Sequence, residues 1–106
     1  FRPEVTEFQR DNVKARFLDL QNKCLRDGKP YIREIVGGEP NGGEGAERGF
    51  EQGYVVRFAS QGDRNYYVGT PTIADPAHDA FKAFVGPLLE PGPGGVLVFD
   101  FDAGHA

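Results

Sequence analysis

The stretch GYVVRFAS, residues 53–60, carries the clearest strand pattern in the chain. The side chains at positions 54, 56 and 58 are Tyr, Val and Phe, and those at 55, 57 and 59 are Val, Arg and Ala. Successive side chains of a strand point to opposite faces, so each set shares a face. Residues 54–60 are therefore predicted to form a strand, and the elements on either side decide which fold contains it.

Upstream of this strand, residues 4–25 have the spacing of an amphipathic helix. Apolar side chains recur at intervals of four, three and four residues on one buried stripe: Val13, Phe17, Leu20 and Cys24. Thr6 is a suitable N-cap, and Gly28 followed by Pro30 is typical of a helix end. Because it lies on the stripe with no histidine near it in sequence, Cys24 is interpreted as a small core residue and not as a nucleophile.

The region between the helix and the strand divides into two parts. YIREIV, residues 31–36, alternates and is rich in β-branched and aromatic residues, which predicts another strand. GGEPNGGEGAERG, residues 37–49, is too rich in glycine and polar residues to pack, and is predicted to be a mobile loop. A phosphate-binding role is rejected because the loop lacks the Lys-Ser/Thr pair and carries Glu39, Glu44 and Glu47.

Downstream of the strand, residues 62–68 are predicted to form a short helix and residues 69–76 a turn. Asp75 as N-cap, with Pro76 at the first helical position, then starts another helix, which EPGPGG at residues 90–95 ends. VLVFDFD, residues 96–102, is predicted to be the last strand. His105 lies in a tail of small residues that is predicted to be disordered.

The composition bounds the class of protein. A chain of 106 residues is the length of a single domain, here residues 1–106. The net charge of −4, with no basic cluster, argues against nucleic-acid binding. A lone cysteine and the lack of a long apolar run predict an intracellular, cytoplasmic protein without a membrane segment. The sequence contains no methionine, so an upstream segment is expected.

The element order predicts an α+β fold. Helix, strand, strand, helix, strand is a ferredoxin-like βαββαβ unit whose first strand is largely absent from this chain. Helices would pack on one face of an antiparallel sheet, and the sheet would keep an exposed edge unless another segment or chain covered it.

Five segments, in this order, resemble the stress-responsive dimeric A/B barrel (Dabb) family: FRPEVTEFQRD, GYVVRFAS, YYV, DPAHDAF and VLVFDF. DGKPYI is similar to fungal members. The resemblance implies a dimeric α+β barrel, in which the sheet pairs with that of a second identical chain, and a cleft between each sheet and its helices. Nothing in it implies a bound cofactor.

The resemblance also implies a reaction, through a distant similarity to the plant enzyme olivetolic acid cyclase. That enzyme closes a linear polyketide by an aldol reaction without a cofactor, using a histidine of a PAH motif and a preceding tyrosine. His78 matches the histidine, and either Tyr66 or Tyr67 matches the tyrosine. His78 would be the general base and the tyrosine would polarise the carbonyl group. The alternative role for His78 is structural, as a helix-start side chain bonded to Asp75 or Asp79.

The aromatic side chains have two interpretations. They either fill the core, which is the commoner role, or line a pocket for a small apolar, polyketide-like ligand, with these predicted to contact it: Phe17, Tyr54, Phe81 and Phe99. The interior is expected to hold these phenylalanines: Phe8, Phe17, Phe81, Phe84, Phe99 and Phe101.

The function is left open between classes. The first is a cofactor-free polyketide cyclase-like lyase, and the second is a non-catalytic stress-responsive binding protein. A haem- or oxygen-using role is a third and weaker option, with His78 the best candidate iron ligand. No set of side chains has a recognised metal-ligand spacing, so no metal site is predicted.

Overall fold

The structure is a computed structural model that describes residues 1–70 and 75–102. Its helices and strands are α1 (Glu7–Lys23), β1 (Leu25–Arg26), β2 (Lys29–Pro30), β3 (Ile32–Gly38), β4 (Gly53–Phe58), α2 (Gln61–Val68) and α3 (Pro76–Val85). Single 3₁₀ turns follow at Gly86–Leu88 and Gly92–Gly94. The predicted turn over residues 69–76 lies partly outside the described residues, and His105 lies wholly outside them.

Helix α1 begins at the predicted cap. The Thr6 hydroxyl accepts a hydrogen bond from the Gln9 backbone N–H at 3.1 Å, and the Gln9 side chain accepts one from the Thr6 N–H at 2.8 Å. This reciprocal pair satisfies two N–H groups that a helix start leaves without partners. The buried face is the predicted stripe, because Val13, Leu20 and Cys24 are almost fully enclosed.

The end of α1 differs from the prediction, because the helix stops at Lys23 and Gly28 is not its terminator. Instead Asp27 and Gly28 have φ angles of 52° and 76° and join β1 to β2 in a small hairpin. An Asp-Gly pair with two positive φ angles is typical of a tight hairpin turn, and the same glycine chemistry serves a helix end. Sequence alone did not distinguish the two.

Strands β3 and β4 form an antiparallel ladder with one register shift, between Ile32 and Glu34. Ile32 and Ile35 of β3 are buried in the core against α1, while Val36 and Val55, which face each other across the ladder, are about half exposed. The alternation predicted for β4 is confirmed. Helices, together with antiparallel sheets, confirm the α+β class.

The two shorter helices begin at side-chain caps. Ser60 caps α2, which ends at Gly69 in the left-handed conformation with φ 83°. Asp75 caps α3 and Pro76 is its first residue, as predicted. Within the described part of the chain, no helix is long and apolar enough to span a membrane.

The predicted last strand is wrong. Residues 96–102, all of which the structure describes, have no regular secondary structure. A strand needs a neighbour for its backbone N–H and C=O groups, and residues 1–6, before α1, form no strand that could supply one. Phe99 and Phe101 are therefore 74% and 67% exposed instead of interior. Phe8 on α1 was also expected in the interior, and it is 79% exposed.

Candidate functional site

His78 lies in the first turn of α3, where that helix meets the end of α2. Its imidazole ring stacks on the Tyr67 ring, with the centroids 3.6 Å apart and the planes at 11°. The His78 Nδ1 atom lies 2.7 Å from the Tyr67 carbonyl oxygen. The structure therefore brings together His78 and one of the two tyrosines that the sequence left open.

The contact to Tyr67 fixes the tautomer of His78. A carbonyl oxygen can only accept, so Nδ1 carries the proton and donates it, and Nε2 of the neutral ring has a free lone pair. Among the described residues, no side chain or backbone group hydrogen-bonds to Nε2. Burial lowers the pKa of His78 below 6.5, although the bond to Tyr67 opposes this shift. A neutral imidazole with a bare Nε2 is the form that a general base requires.

The Tyr67 hydroxyl is enclosed and has no hydrogen-bond partner among the described residues. Burial also raises the pKa of this hydroxyl, with the nearby Cys24 and Asp75 adding to the effect. A buried donor without a partner is costly, so it is a group that a ligand oxygen or a water would stabilise.

Tyr66 lies away from His78. Its ring makes an edge contact with the Tyr31 ring at 5.4 Å, and the Arg26 guanidinium lies 5.6 Å from its centroid. Adjacent residues of a helix point in different directions, which explains the separation of Tyr66 from Tyr67.

Three of the four predicted ligand-contacting residues meet in one cluster. The Phe17 ring stacks on Tyr54 at 3.9 Å and meets the edge of Phe81 at 5.1 Å. Burial raises the pKa of Tyr54 to about 12, and its hydroxyl donates to the Gln52 side chain at 2.6 Å. The fourth, Phe99, is not part of this cluster, because it is 74% exposed, and its ring lies 5.8 Å from that of Phe101.

Among the cavities that open on the described surface are two of similar size, and neither of these two is lined by His78 or Tyr67. The first, of about 400 Å³, lies in the loop that follows β3, beside Pro40 and Phe50. The second, of about 370 Å³, lies between α1 and α3, and its lining includes apolar Leu20, Ala77 and Phe81 and charged Arg16, Asp19 and Lys23. Phe81 thus belongs both to the aromatic cluster and to the lining of this surface groove. Ala77, the residue before His78, also lines the groove.

Sequence reasoning missed a buried partner of this site. The Tyr31 hydroxyl donates to the Asp75 Oδ2 atom at 2.6 Å, and Asp75 is only 1% exposed. The sequence identified Asp75 as a helix cap. Its bond to Tyr31 joins residues 44 positions apart, so no pattern in the sequence around Asp75 predicts it. Among the described residues, no group of three or more His, Cys, Asp or Glu side chains could hold a metal ion.

The chain matches the model of a known protein family. The model of the stress responsive A/B barrel domain (Dabb) matches residues 1–103. The chain belongs to the Dabb family. The match covers nearly all of the chain and confirms the ferredoxin-like α+β barrel class for this Dabb domain. No curated protein matches it.

Proposed function

We propose that this Dabb domain binds a small apolar carbonyl compound and catalyses a cofactor-free proton transfer on it, of the kind that closes a polyketide ring by an aldol step. The observation that carries the proposal is the contact between His78 and Tyr67. It leaves Nε2 of a neutral imidazole free to accept a proton.

The reaction needs only a base and a donor. Nε2 of His78 takes a proton from the carbon next to a ketone, and the electrons of that C–H bond move to the ketone oxygen as an enolate. The Tyr67 hydroxyl donates a hydrogen bond to this oxygen as its charge develops. The enolate carbon then attacks a second carbonyl carbon of the same molecule, and the imidazolium returns its proton to the new alkoxide. Protons and electrons balance in this sequence of steps without an oxidant, a metal or a cofactor.

We also propose that the domain works as a homodimer. The face of the β3–β4 sheet opposite the helices exposes Val36 and Val55, and residues 96–101 expose further apolar side chains. A second copy covering these surfaces would bury apolar area and protect open strand edges. Sedimentation of the wild-type protein over a range of concentrations tests this part directly.

A second candidate function is ligand binding without chemistry. It is favoured by the enclosure of the Tyr67 hydroxyl and by the absence of His78 from the lining of both described cavities. In this case the groove beside Phe81 would hold the ligand, and His78 would serve only to join α3 to α2.

The experiment measures deuterium exchange at the carbon next to the carbonyl of aryl methyl ketones and β-diketones in D₂O. The wild-type protein is expected to accelerate exchange, and His78→Gln to lose about 10²- to 10⁴-fold of that rate, since this is the usual contribution of a general base. The matched control is His105→Gln, which replaces the only other histidine of the chain and should keep the wild-type rate.

The outcomes separate the two functions. Ketone binding, detected by NMR shifts, with the same exchange rate in His78→Gln as in the wild type would support binding without chemistry. A wild-type protein that neither binds these ketones nor accelerates their exchange would overturn both.

A further inference from the structure

Asp75 joins three elements of the fold through its buried side chain and its backbone N–H. Its Oδ1 atom accepts the Ala77 backbone N–H at 2.8 Å, as a helix cap does. Its Oδ2 atom accepts the Tyr31 hydroxyl at 2.6 Å, and its own backbone N–H donates to the Tyr66 carbonyl at 3.0 Å. The start of α3 is thereby tied to the start of β3 and to the last turn of α2.

The contacts of Asp75 and His78 to α2 are adjacent. The carbonyls of Tyr66 and Tyr67 belong to the last turn of α2, where the helix itself offers no partner for them. The first accepts from the Asp75 N–H and the second from His78 Nδ1–H. Both bonds therefore depend on where the start of α3 lies relative to the end of α2.

A cap needs only one carboxylate oxygen, but Asp75 uses both. Burying a carboxylate and a hydroxyl costs free energy, and the hydrogen bond between them does little more than cancel that cost. The Tyr31 contact therefore adds nothing that helix capping needs. Burial and the bond to Asp75 raise the pKa of the Tyr31 hydroxyl, which therefore remains a donor.

We propose that Asp75, held by Tyr31, is a positioning residue for His78. The Tyr31–Asp75 pair sets the start of α3 so that His78 Nδ1–H reaches the Tyr67 carbonyl and Nε2 stays free. The catalytic meaning of this arrangement rests on the proposed function. The positioning itself rests on the contacts of the described residues alone.

The experiment measures the tautomer of His78 by NMR, from two-bond ¹H–¹⁵N correlations of the ring above its pKa. The wild-type ring is expected to carry its proton on Nδ1. Asp75→Ser keeps a good N-cap but cannot reach Tyr31, so we expect the proton to shift towards Nε2. Tyr31→Phe should produce the same shift. Because this variant keeps the Asp75 carboxylate, a shift in it would come from the lost Tyr31–Asp75 hydrogen bond and not from a lost charge near His78.

Two further variants make the comparison specific. Asp75→Asn keeps the cap, and its amide can donate to the Tyr31 oxygen, so we expect it to retain more of the Nδ1–H tautomer than Asp75→Ser. The matched control is Asp63→Ser, which removes a carboxylate from the first turn of α2 that pairs with Arg26 at 2.9 Å. It should leave the tautomer of His78 unchanged.

The result that overturns the proposal is a wild-type tautomer in both Asp75→Ser and Tyr31→Phe, because Asp75 would then be a cap and no more. If Asp75→Ser does not fold, Tyr31→Phe decides alone, since it removes one hydroxyl and keeps the packed ring. Where ketone exchange is catalysed, kcat of Asp75→Ser should fall about 10- to 100-fold with little change in KM, as expected for a misplaced base. A wild-type protein without that activity defeats the proposed function but leaves the tautomer measurement decisive for Asp75.

Discussion

The junction of α2 and α3 and the segment of residues 96–102 have equally clear sequence patterns but different structures. At the junction, Asp75 is 1% exposed and both of its carboxylate oxygens are hydrogen-bonded. In the segment, Leu97 and Phe99 are 70% and 74% exposed, and no strand forms. Helix caps are satisfied by neighbours in sequence, whereas a strand requires a partner strand. Local chemistry therefore specifies where α3 begins at the first region, whereas a strand in the second would need a partner.

The largest expected effect comes from the same substitution made inside and outside the core. Leu20→Ala on α1 should lower the free energy of unfolding by about 2–5 kcal/mol, because Leu20 is 4% exposed and its removal leaves a cavity. Leu97→Ala should change it by less than about 0.5 kcal/mol, because that side chain has little packing to lose. Urea denaturation at low protein concentration measures both.

The same pair of variants can sharpen the comparison. If the loss of unfolding free energy caused by Leu97→Ala grows as the protein concentration rises, a second copy covers the segment, since association stabilises the folded state by mass action. A loss above about 1 kcal/mol at every concentration would instead mean that Leu97 packs within its own chain, against the exposure described here.

The starts of α1 and α3 could be predicted from the sequence because each depends on residues close together, whereas the β1–β2 hairpin was missed and the last strand was predicted wrongly. Thr6 and Asp75 were identified as caps in this way, and both cap their helices. The contacts of the site could not be predicted, because Tyr31 and Asp75 are brought together only by the folded chain. The alternation in residues 96–102 was real, but alternation indicates a strand only where another strand is available.

A middle-sized effect should appear in the pH dependence of stability. Burial holds the pKa of His78 in the folded chain below 6.5, with Asp75 and Asp79 raising it and Lys82 lowering it. As the pH falls below 6.5, the unfolded chain binds a proton that the folded chain does not bind, so stability is lost down to the folded pKa. One such group changes the free energy of unfolding by at most about 1.4 kcal/mol per pH unit.

The measurement is the difference in unfolding free energy between the wild type and His78→Gln, from about pH 7.5 to 5.5, above the range where carboxylates titrate. The wild type should lose stability over this range and the variant should lose less. If the unfolding free energies of the wild type and the variant changed with pH in parallel, the pKa of His78 would be the same in the folded and unfolded chains. His78 would then be more open to solvent than its stacking on Tyr67 indicates.

The smallest expected effect concerns the ion pair that links the segment to α2. Arg64 contacts Asp100 at 2.7 Å, with their side chains 27% and 51% exposed. Exposed pairs of this kind contribute about 0.2–1 kcal/mol and weaken with salt, so Asp100→Asn should cost no more than that at low salt and almost nothing at high salt. Urea denaturation at two salt concentrations measures the difference. A larger loss that salt does not reduce would place Asp100 in a buried interface, and the segment would then owe its position to a partner and not to Arg64.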